Sequence, residues 1–223
     1  MISIIIPALN EAQALPATLA RVFAQAGECE IIVVDGGSHD ATRAIAAADA
    51  RVHLVTAPKG RATQMNAGVR AAHGEWLLFL HADTLLPDGA LEAIAALPDD
   101  IQAGGFRHRF SGDDWRLRLI SWMHNWRCRW THVFYGDQAL FVRRALFKRL
   151  GGFPEDYPLE DVVFGERLRM RSRPRLLNLH VVTDARKFTQ MGAWKSLGRV
   201  ALILTCHELH LPLPVRRFYQ DVR

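Results

Sequence analysis

Apolar and polar positions alternate in blocks along the first hundred residues. Residues 2–7 form a continuous apolar run rich in isoleucine, and 30–35 (EIIVVD), 52–56 and 76–80 repeat the theme. Apolar runs of roughly four to eight residues, bounded by turn residues, predict strands buried on both faces. Between them the spacing becomes helical. Leu15, Leu19, Val22 and Phe23 share one face of a predicted helix over 15–26, Asp40 stands as an N-cap before a second over 41–48, and 61–72 and 87–97 predict two more. Strand and helix in strict alternation predict βαβ units: an α/β fold with a mostly parallel central sheet and helices on both faces.

Beyond residue 98 the pattern loosens. Residues 104–110 and 176–183 predict strands and 139–143 a short one. A short helix over 145–150 is stopped by Gly151-Gly152, and 160–170 and 192–209 predict helices. No linker or repeat divides the chain. A single domain over 1–223 is expected, with a nucleotide-binding half (1–100) and an acceptor half (101–223). The helix predicted over 115–133 has unusual content. Trp115, Trp122, Trp126 and Trp130 are spaced 7, 4 and 4, which at about 100° per residue makes one stripe roughly 80° wide. Arg118 and Arg129 flank one edge, and Arg116 and Arg127 lie past the other. Such a stripe packs on the sheet, walls a sugar site, or meets a membrane interface or lipid-linked acceptor.

Composition narrows the classes. Hydrophobic residues are 49% and charged residues 23%, which excludes disordered and collagen-like chains. No apolar run approaches the roughly 18 residues of a membrane span. The first apolar run ends at Pro7 without a basic segment before it, unlike a signal peptide. Cys29, Cys128 and Cys206 are odd in number and far apart, so no disulfide framework is expected. The expected location is the cytoplasm, with peripheral contact at the inner membrane face. The net charge of +5 is unevenly placed: acidic residues outnumber basic ones two to one over 1–100, and the ratio reverses over 101–223. A basic surface suits anionic substrates, membranes or nucleic acid.

In open α/β sheets, ligands bind beyond the carboxyl ends of the strands. The four predicted strands of the first half are followed by Ala8-Leu9-Asn10-Glu11, Asp35-Gly36-Gly37-Ser38, Lys59-Gly60-Arg61 with Asn66 a turn later, and His81-Ala82-Asp83-Thr84. Every strand end therefore carries polar or charged groups on what should be one rim, as a polar ligand requires. Glu160-Asp161 opens a predicted helix, where a carboxylate is stabilised by the helix N-terminus, and Gly136-Asp137-Gln138 precedes a short strand.

IIIPALNEA at 4–12, IIVVDGGSHDAT at 31–42, KGRATQMNAG at 59–68, FLHADT at 79–84, YGDQALFVRR at 135–144, GGFPE at 151–155 and PLEDVVFGERL at 158–168 stand in order along the chain. Together they resemble the family 2 glycosyltransferases, whose fold is GT-A, and are nearest to a small "transferase 2" group sharing FLHADT and GDQ. The resemblance spans about 1–190. It implies inverting transfer of a sugar from a nucleotide sugar, a UDP-sugar first, to a hydroxyl acceptor, with Mn²⁺ or Mg²⁺ on the diphosphate. The implied partners are the donor and that acceptor, not nucleic acid.

The resemblance also implies roles. Pro7, Leu9, Asn10, Glu11, Asp35, Gly36, Arg61, Asn66, His81, Ala82 and Asp137 would contact the donor. Within this set, Asp35 meets the uracil or ribose, Glu11 faces the ribose, and Arg61 approaches the pyrophosphate or holds the base. His81-Ala82-Asp83 stands where the family shows Asp-x-Asp. Asp83 is the metal ligand, and His81 adds a nitrogen ligand, faces the sugar, or packs. Asp161, ahead of Glu160, is the general base. Asp137 binds acceptor or donor sugar, or caps a turn. His180 is a core or metal-binding histidine, and Arg186-Lys187 reaches the diphosphate. Two other classes fit less well. A dinucleotide dehydrogenase needs G-x-G-x-x-G where ALNEA stands. A non-enzymatic basic protein binding membrane or nucleic acid leaves the acidic rim without a use.

Overall fold

The computed structural model describes residues 1–190 and 192–213. Strands β1 (Ile2–Ala8), β2 (Cys29–Asp35), β3 (Val52–Thr56) and β4 (Trp76–Phe79) run parallel in the order β3-β2-β1-β4. The second half completes one eight-stranded sheet with β5 (Thr84–Leu85), β6 (Ala103–Phe110), β7 (Phe141–Arg143) and β8 (Arg175–Thr183), in the order β3-β2-β1-β4-β7-β6-β8-β5. β7 is antiparallel to both neighbours and β5 to β8, while β6 and β8 are parallel. The mostly parallel sheet expected from the alternation is therefore present.

The period of two along each strand sorts side chains onto two layers. Ile2, Ile4, Ile6, Ile31, Val33, Trp76 and Leu78 face one side. There they pack on α1 (Leu15–Phe23), α2 (Thr42–Ala47) and α4 (Ala90–Ala95) through Leu15, Leu19, Val22, Ala46, Leu91 and Ile94. Ile5, Ile32, Val34, Leu77 and Phe79 face the other side. They meet α3 (Arg61–Ala71), α6 (Arg144–Arg149) and α7 (Glu160–Arg169). On that second face Phe79, Phe147, Phe153 and Phe164 form a continuous ring cluster with centroids 4.7–5.3 Å apart. Each aromatic contact adds about 0.5–1.5 kcal/mol beyond area burial. The cluster joins β4, α6, α7 and the Gly-Gly-Phe-Pro-Glu loop over 151–155.

Several boundaries differ from the sequence expectation. α5 (Trp115–Thr131) stops before Val133 because His132 turns left-handed at φ 54°. Asp114 caps its start by accepting from the Arg116 amide. Asp40 is not the N-cap of α2; Ala41 is. The Asp40 carboxylate instead accepts from the Thr42 amide and hydroxyl and from the Ala12 amide, tying two loops. The Thr42 hydroxyl leads the groups that hold this carboxyl below its ordinary value. β5, of two residues, and α8 (Arg186–Gln190), of five, are too short for a periodic signal. The remaining helix is α9 (Ala193–Glu208).

α3 lies close on the sheet because Gly68 has no side chain. A Cβ there would sit 2.4 Å from Ile5 Cγ2 and 3.1 Å from Val34 Cγ2. In an exposed helix Gly→Ala gains about 1 kcal/mol, but overpacking a core position costs about 1–3 kcal/mol. Crowding at 2.4 Å on a central strand decides the sign. Gly68→Ala is expected to lower the unfolding free energy in urea; an increase would show that α3 has room to lift.

Candidate active site

The carboxyl ends of β1 to β4 form the expected rim, and hydrogen bonds between their loops set its shape. Ser38 Oγ accepts from the Asn10 amide, Asn10 Oδ1 from the His39 amide, and Thr42 Oγ1 from the Glu11 amide. Gln64, wholly inside, donates from Nε2 to the carbonyls of Ala8 and Val34, so one amide group fastens the last residues of two adjacent strands. Thr18 Oγ1 likewise holds the carbonyl of Ala82 at 2.7 Å.

Several residues expected to touch a nucleotide also take part in contacts within the protein. Asp35 is completely buried. Its carboxylate accepts from the Gly37 and Ser38 amides at 3.1–3.2 Å, with Arg43 3.8 Å away. It shapes the loop. Gly36 is buried beneath Gln64, 2.9 Å from where a Cβ would stand. Ala82 is 3% exposed. The Asn66 side chain is committed to the 151–155 loop: it donates to the Phe153 carbonyl and Glu155 carboxylate and accepts from the Phe153 amide. Asn10 stitches loops through its own side chain. Pro7, Leu9, Glu11, Arg61, His81, Asp83 and Asp137 remain partly exposed.

The two halves meet at the N-terminus of α7. Glu160 is 3% exposed and accepts from Arg61 Nε. Burial pushes the Glu160 carboxyl above its ordinary value, against the Arg61 guanidinium. Asp161 Oδ2 accepts from the Gly136 amide at 2.8 Å and lies 3.9 Å from Arg61 Nη2; its Oδ1 accepts from the Val162 amide. Both acids thus reach Arg61, and Asp161 alone also takes the Gly136 amide. His81 Nε2 is buried with no hydrogen-bond partner. A Cβ on Gly136 would fall 2.5 Å from that nitrogen and 3.5 Å from Asp161 Oδ2. Only glycine lets the backbone pass between imidazole and carboxylate. Burial, then Arg61, holds the His81 imidazole below its ordinary value. The main chain at Asp83 accepts from the Asp184 amide, joining the start of β5 to the end of β8.

Two histidines escaped the sequence reading. His108 (β6) and His124 (α5) both face Asp137, at 3.7 and 3.3 Å. Arg127 lies 3.6 Å over the ring of Tyr135. Asp137 is therefore no isolated turn aspartate. Burial opposes its charge, but His124 and His108 outweigh it and hold the carboxyl well below the usual range. The signal for His108 was present, since Phe106, His108 and Phe110 alternate inward along β6. His180 lies outside this cluster. It is exposed and lines a groove with Arg107 and Arg109, so it is not a core residue. The four tryptophans of α5 do not pack on the sheet: they are 55–72% exposed. Arg186 bonds to Gln13 in the first loop, and the Lys187 side chain lies outside the described residues. All three cysteines are free; burial pushes the Cys128 thiol up to about 11.

Comparison with known proteins gives a consistent result. The family described as Glycosyl transferase family 2 matches residues 3–172. A "PGL/p-HBAD biosynthesis glycosyltransferase" of Mycobacterium tuberculosis is 36% identical over 211 residues, covering 86% of this chain and 78% of its own. Among solved structures, the mannosyltransferase PcManGT from Pyrobaculum calidifontis in complex with GDP-Man and Mn²⁺ superposes with a TM-score of 0.66 at 20% identity, over 99% of this chain and 68% of that one. S. aureus TarS 1-349 in complex with UDP-GlcNAc gives 0.64 at 20% identity, over 82% of this chain and 58% of its own. The chain therefore spans less than two thirds of TarS. These likenesses establish the GT-A fold.

The histidine cluster sets a pH dependence. Burial holds His108 down to about 4 from an ordinary 6.5. Between those values the unfolded chain takes up a proton that the folded chain refuses, so stability falls as the pH falls through this window. The full difference is roughly 3 kcal/mol at 1.36 kcal/mol per unit. His108→Gln should flatten the decline in unfolding free energy between pH 6.5 and 4. An unchanged slope would show that other groups set the acid limit.

Proposed function

The chain belongs to glycosyl transferase family 2 and is a nucleotide-sugar-dependent glycosyltransferase; we propose that it transfers the sugar of a UDP-sugar to a hydroxyl acceptor in one inverting displacement, with Asp161 as base. The observation that carries this reading is the pair of anchors on Asp161. The Gly136 amide and the start of α7 hold its carboxylate across from the ends of the parallel strands. A proton acceptor fixed on one side, facing a diphosphate on the other, is the arrangement an in-line displacement needs. In the proposed division, 1–100 binds the donor and 101–223 the acceptor.

A divalent cation, Mn²⁺ or Mg²⁺, fits this site in one form. Among the described residues no three His, Cys, Asp or Glu side chains gather to hold an ion. A cage made by protein alone therefore does not fit, whereas an ion shared between one carboxylate and donor phosphates does. Asp83, half-buried at the end of β4, is the proposed ligand. His81 Nε2, buried beside Gly136 with no hydrogen-bond partner, is proposed as a second contact, to the ion or to a donor hydroxyl. When bound, the cation offsets the charge that builds on the departing diphosphate. Asp161 takes the proton of the acceptor hydroxyl. The acceptor oxygen bonds to the anomeric carbon as the bond from that carbon to the nucleoside diphosphate breaks. Arg61, braced by Glu160, keeps a positive charge beside the reacting groups, and Glu11 is proposed to meet the ribose.

Calorimetry with UDP and GDP, in Mn²⁺ and in EDTA, tests the donor side. UDP should bind more tightly than GDP and only with the metal, and Asp83→Ala should weaken that binding by roughly 1–3 kcal/mol, the worth of a charge-assisted contact. Equal affinity in EDTA, or preference for GDP, would contradict the assignment. Asp161→Asn should leave nucleotide binding nearly intact and reduce donor turnover by about 10²–10⁴-fold, the usual share of a general base. If Glu160→Gln abolishes turnover while Asp161→Asn does not, the roles are reversed.

A further inference from the structure

The outer face of α5 is an apolar surface left in water. Trp115, Trp122, Trp126 and Trp130 are joined there by exposed Leu119 and Met123. Trp194 of α9 continues it, with its ring centroid 6.2 Å from that of Trp115, and Leu202 further along α9 is 54% exposed. A monomer seldom leaves so many large apolar side chains on one face without a partner. An indole has an apolar body and one N–H donor, which suits the boundary between water and hydrocarbon.

Within α5 the charges are of one sign: it holds four arginines and no Asp or Glu, and the capping Asp114 pairs with Arg116. Arg127 turns inward onto Tyr135. Arg118 and Arg129 stay outside and, with Arg107 and Arg109 of β6, line a groove of about 300 Å³ that also contains Trp122 and Trp126. No carboxylate lines it. Partial burial, then Arg107 and Arg109, hold the His180 imidazole at its edge below the ordinary value, in line with a positive local field. A second copy of the chain is a poor occupant, because a two-fold contact repeats the same patch and would set arginine against arginine. Single-stranded nucleic acid would use the indoles and arginines but gain little from Leu119, Met123 and Leu202, which offer no stacking plane.

We propose that this face docks on the headgroup layer of an anionic lipid bilayer, with the tryptophans entering the interface and the arginines taking lipid phosphates. Among the described residues, no helix is long and apolar enough to cross the membrane. The inner face of the same helix carries His124, 3.3 Å from Asp137. Docking therefore brings one wall of the site close to the bilayer surface. The inference does not depend on the choice of sugar, metal or base.

Co-sedimentation with vesicles tests it. The chain should pellet with phosphatidylcholine vesicles containing phosphatidylglycerol and not with phosphatidylcholine alone. Roughly 0.5 M salt, which shortens the Debye length to a few ångströms, should release it. Arg118→Gln and Arg129→Gln should each weaken partitioning by about fivefold, the worth of one basic side chain near an anionic surface. Trp122→Ser with Trp126→Ser should abolish retention while UDP affinity stays that of the wild type; these side chains are more than half exposed. Brominated lipid should quench wild-type tryptophan fluorescence, a readout that needs no variant. The proposal is overturned if the wild type stays in the supernatant, if the variants pellet equally well, or if brominated lipid leaves the fluorescence unchanged. A tryptophan-dependent dimer, or tryptophan-dependent binding of polyuridylate, without vesicle binding would also overturn it.

Discussion

The ion pair between Arg61 and Glu160 is the contact on which the rest of the site depends. It joins the first residue of α3 to the first of α7, ninety-nine positions apart. Glu160 is almost wholly buried. A charge out of water is costly, and a buried pair is weak evidence of net stabilisation. Its value here is geometric. Removing one partner strands the other, at about 3–5 kcal/mol, so the start of α7 is confined to one place relative to α3 and the strands it packs on. Asp161, the next residue, inherits that position. Beneath the pair, the cluster of Phe79, Phe147, Phe153 and Phe164 packs α7 and the 151–155 loop against β4. An apolar cluster fixes distance without orientation; the ion pair adds orientation.

The rim on the other side is fixed differently. The loops after β1 and β2 fasten to each other through Asn10, Ser38, Asp40 and Thr42, and Gln64 fastens the strand ends below them. Each bond is worth only about 1 kcal/mol net, but together they satisfy backbone groups that strands leave unpaired where they end. A loop held in this way presents its partly exposed members, Pro7, Leu9 and Glu11, in a constant arrangement. Much of the polar chemistry at the strand ends therefore belongs to construction of the site.

That distinction explains what was legible in the sequence. Buried strands and amphipathic helices follow from periodicity, so the first-half sheet and most helices could be read with small errors at their ends. The polar strand ends were legible as a set, but a sequence cannot say which way a short side chain turns. Asp35 and Asn66, expected to face a nucleotide, also hold backbone, which no local pattern announces. Gln64 gave no signal, because a buried amide inside a helix looks like a surface glutamine until its two carbonyl partners are known. The tryptophan stripe was visible and its exposure was not. Once that face is outward, the opposite face of α5 must be inward, which brings His124 to Asp137 with His108. The cluster is a consequence of packing between β6 and α5, elements whose contact no local pattern announces.

A single displacement at the anomeric carbon with Asp161 as base is the proposed chemistry. The most direct test is the stereochemistry of the product. Proton NMR of the first sugar released during slow hydrolysis of an α-linked UDP-sugar, before mutarotation, should show the β-anomer. Initial release of the α-anomer would mean retention, and would contradict the single-displacement mechanism and the role given to Asp161.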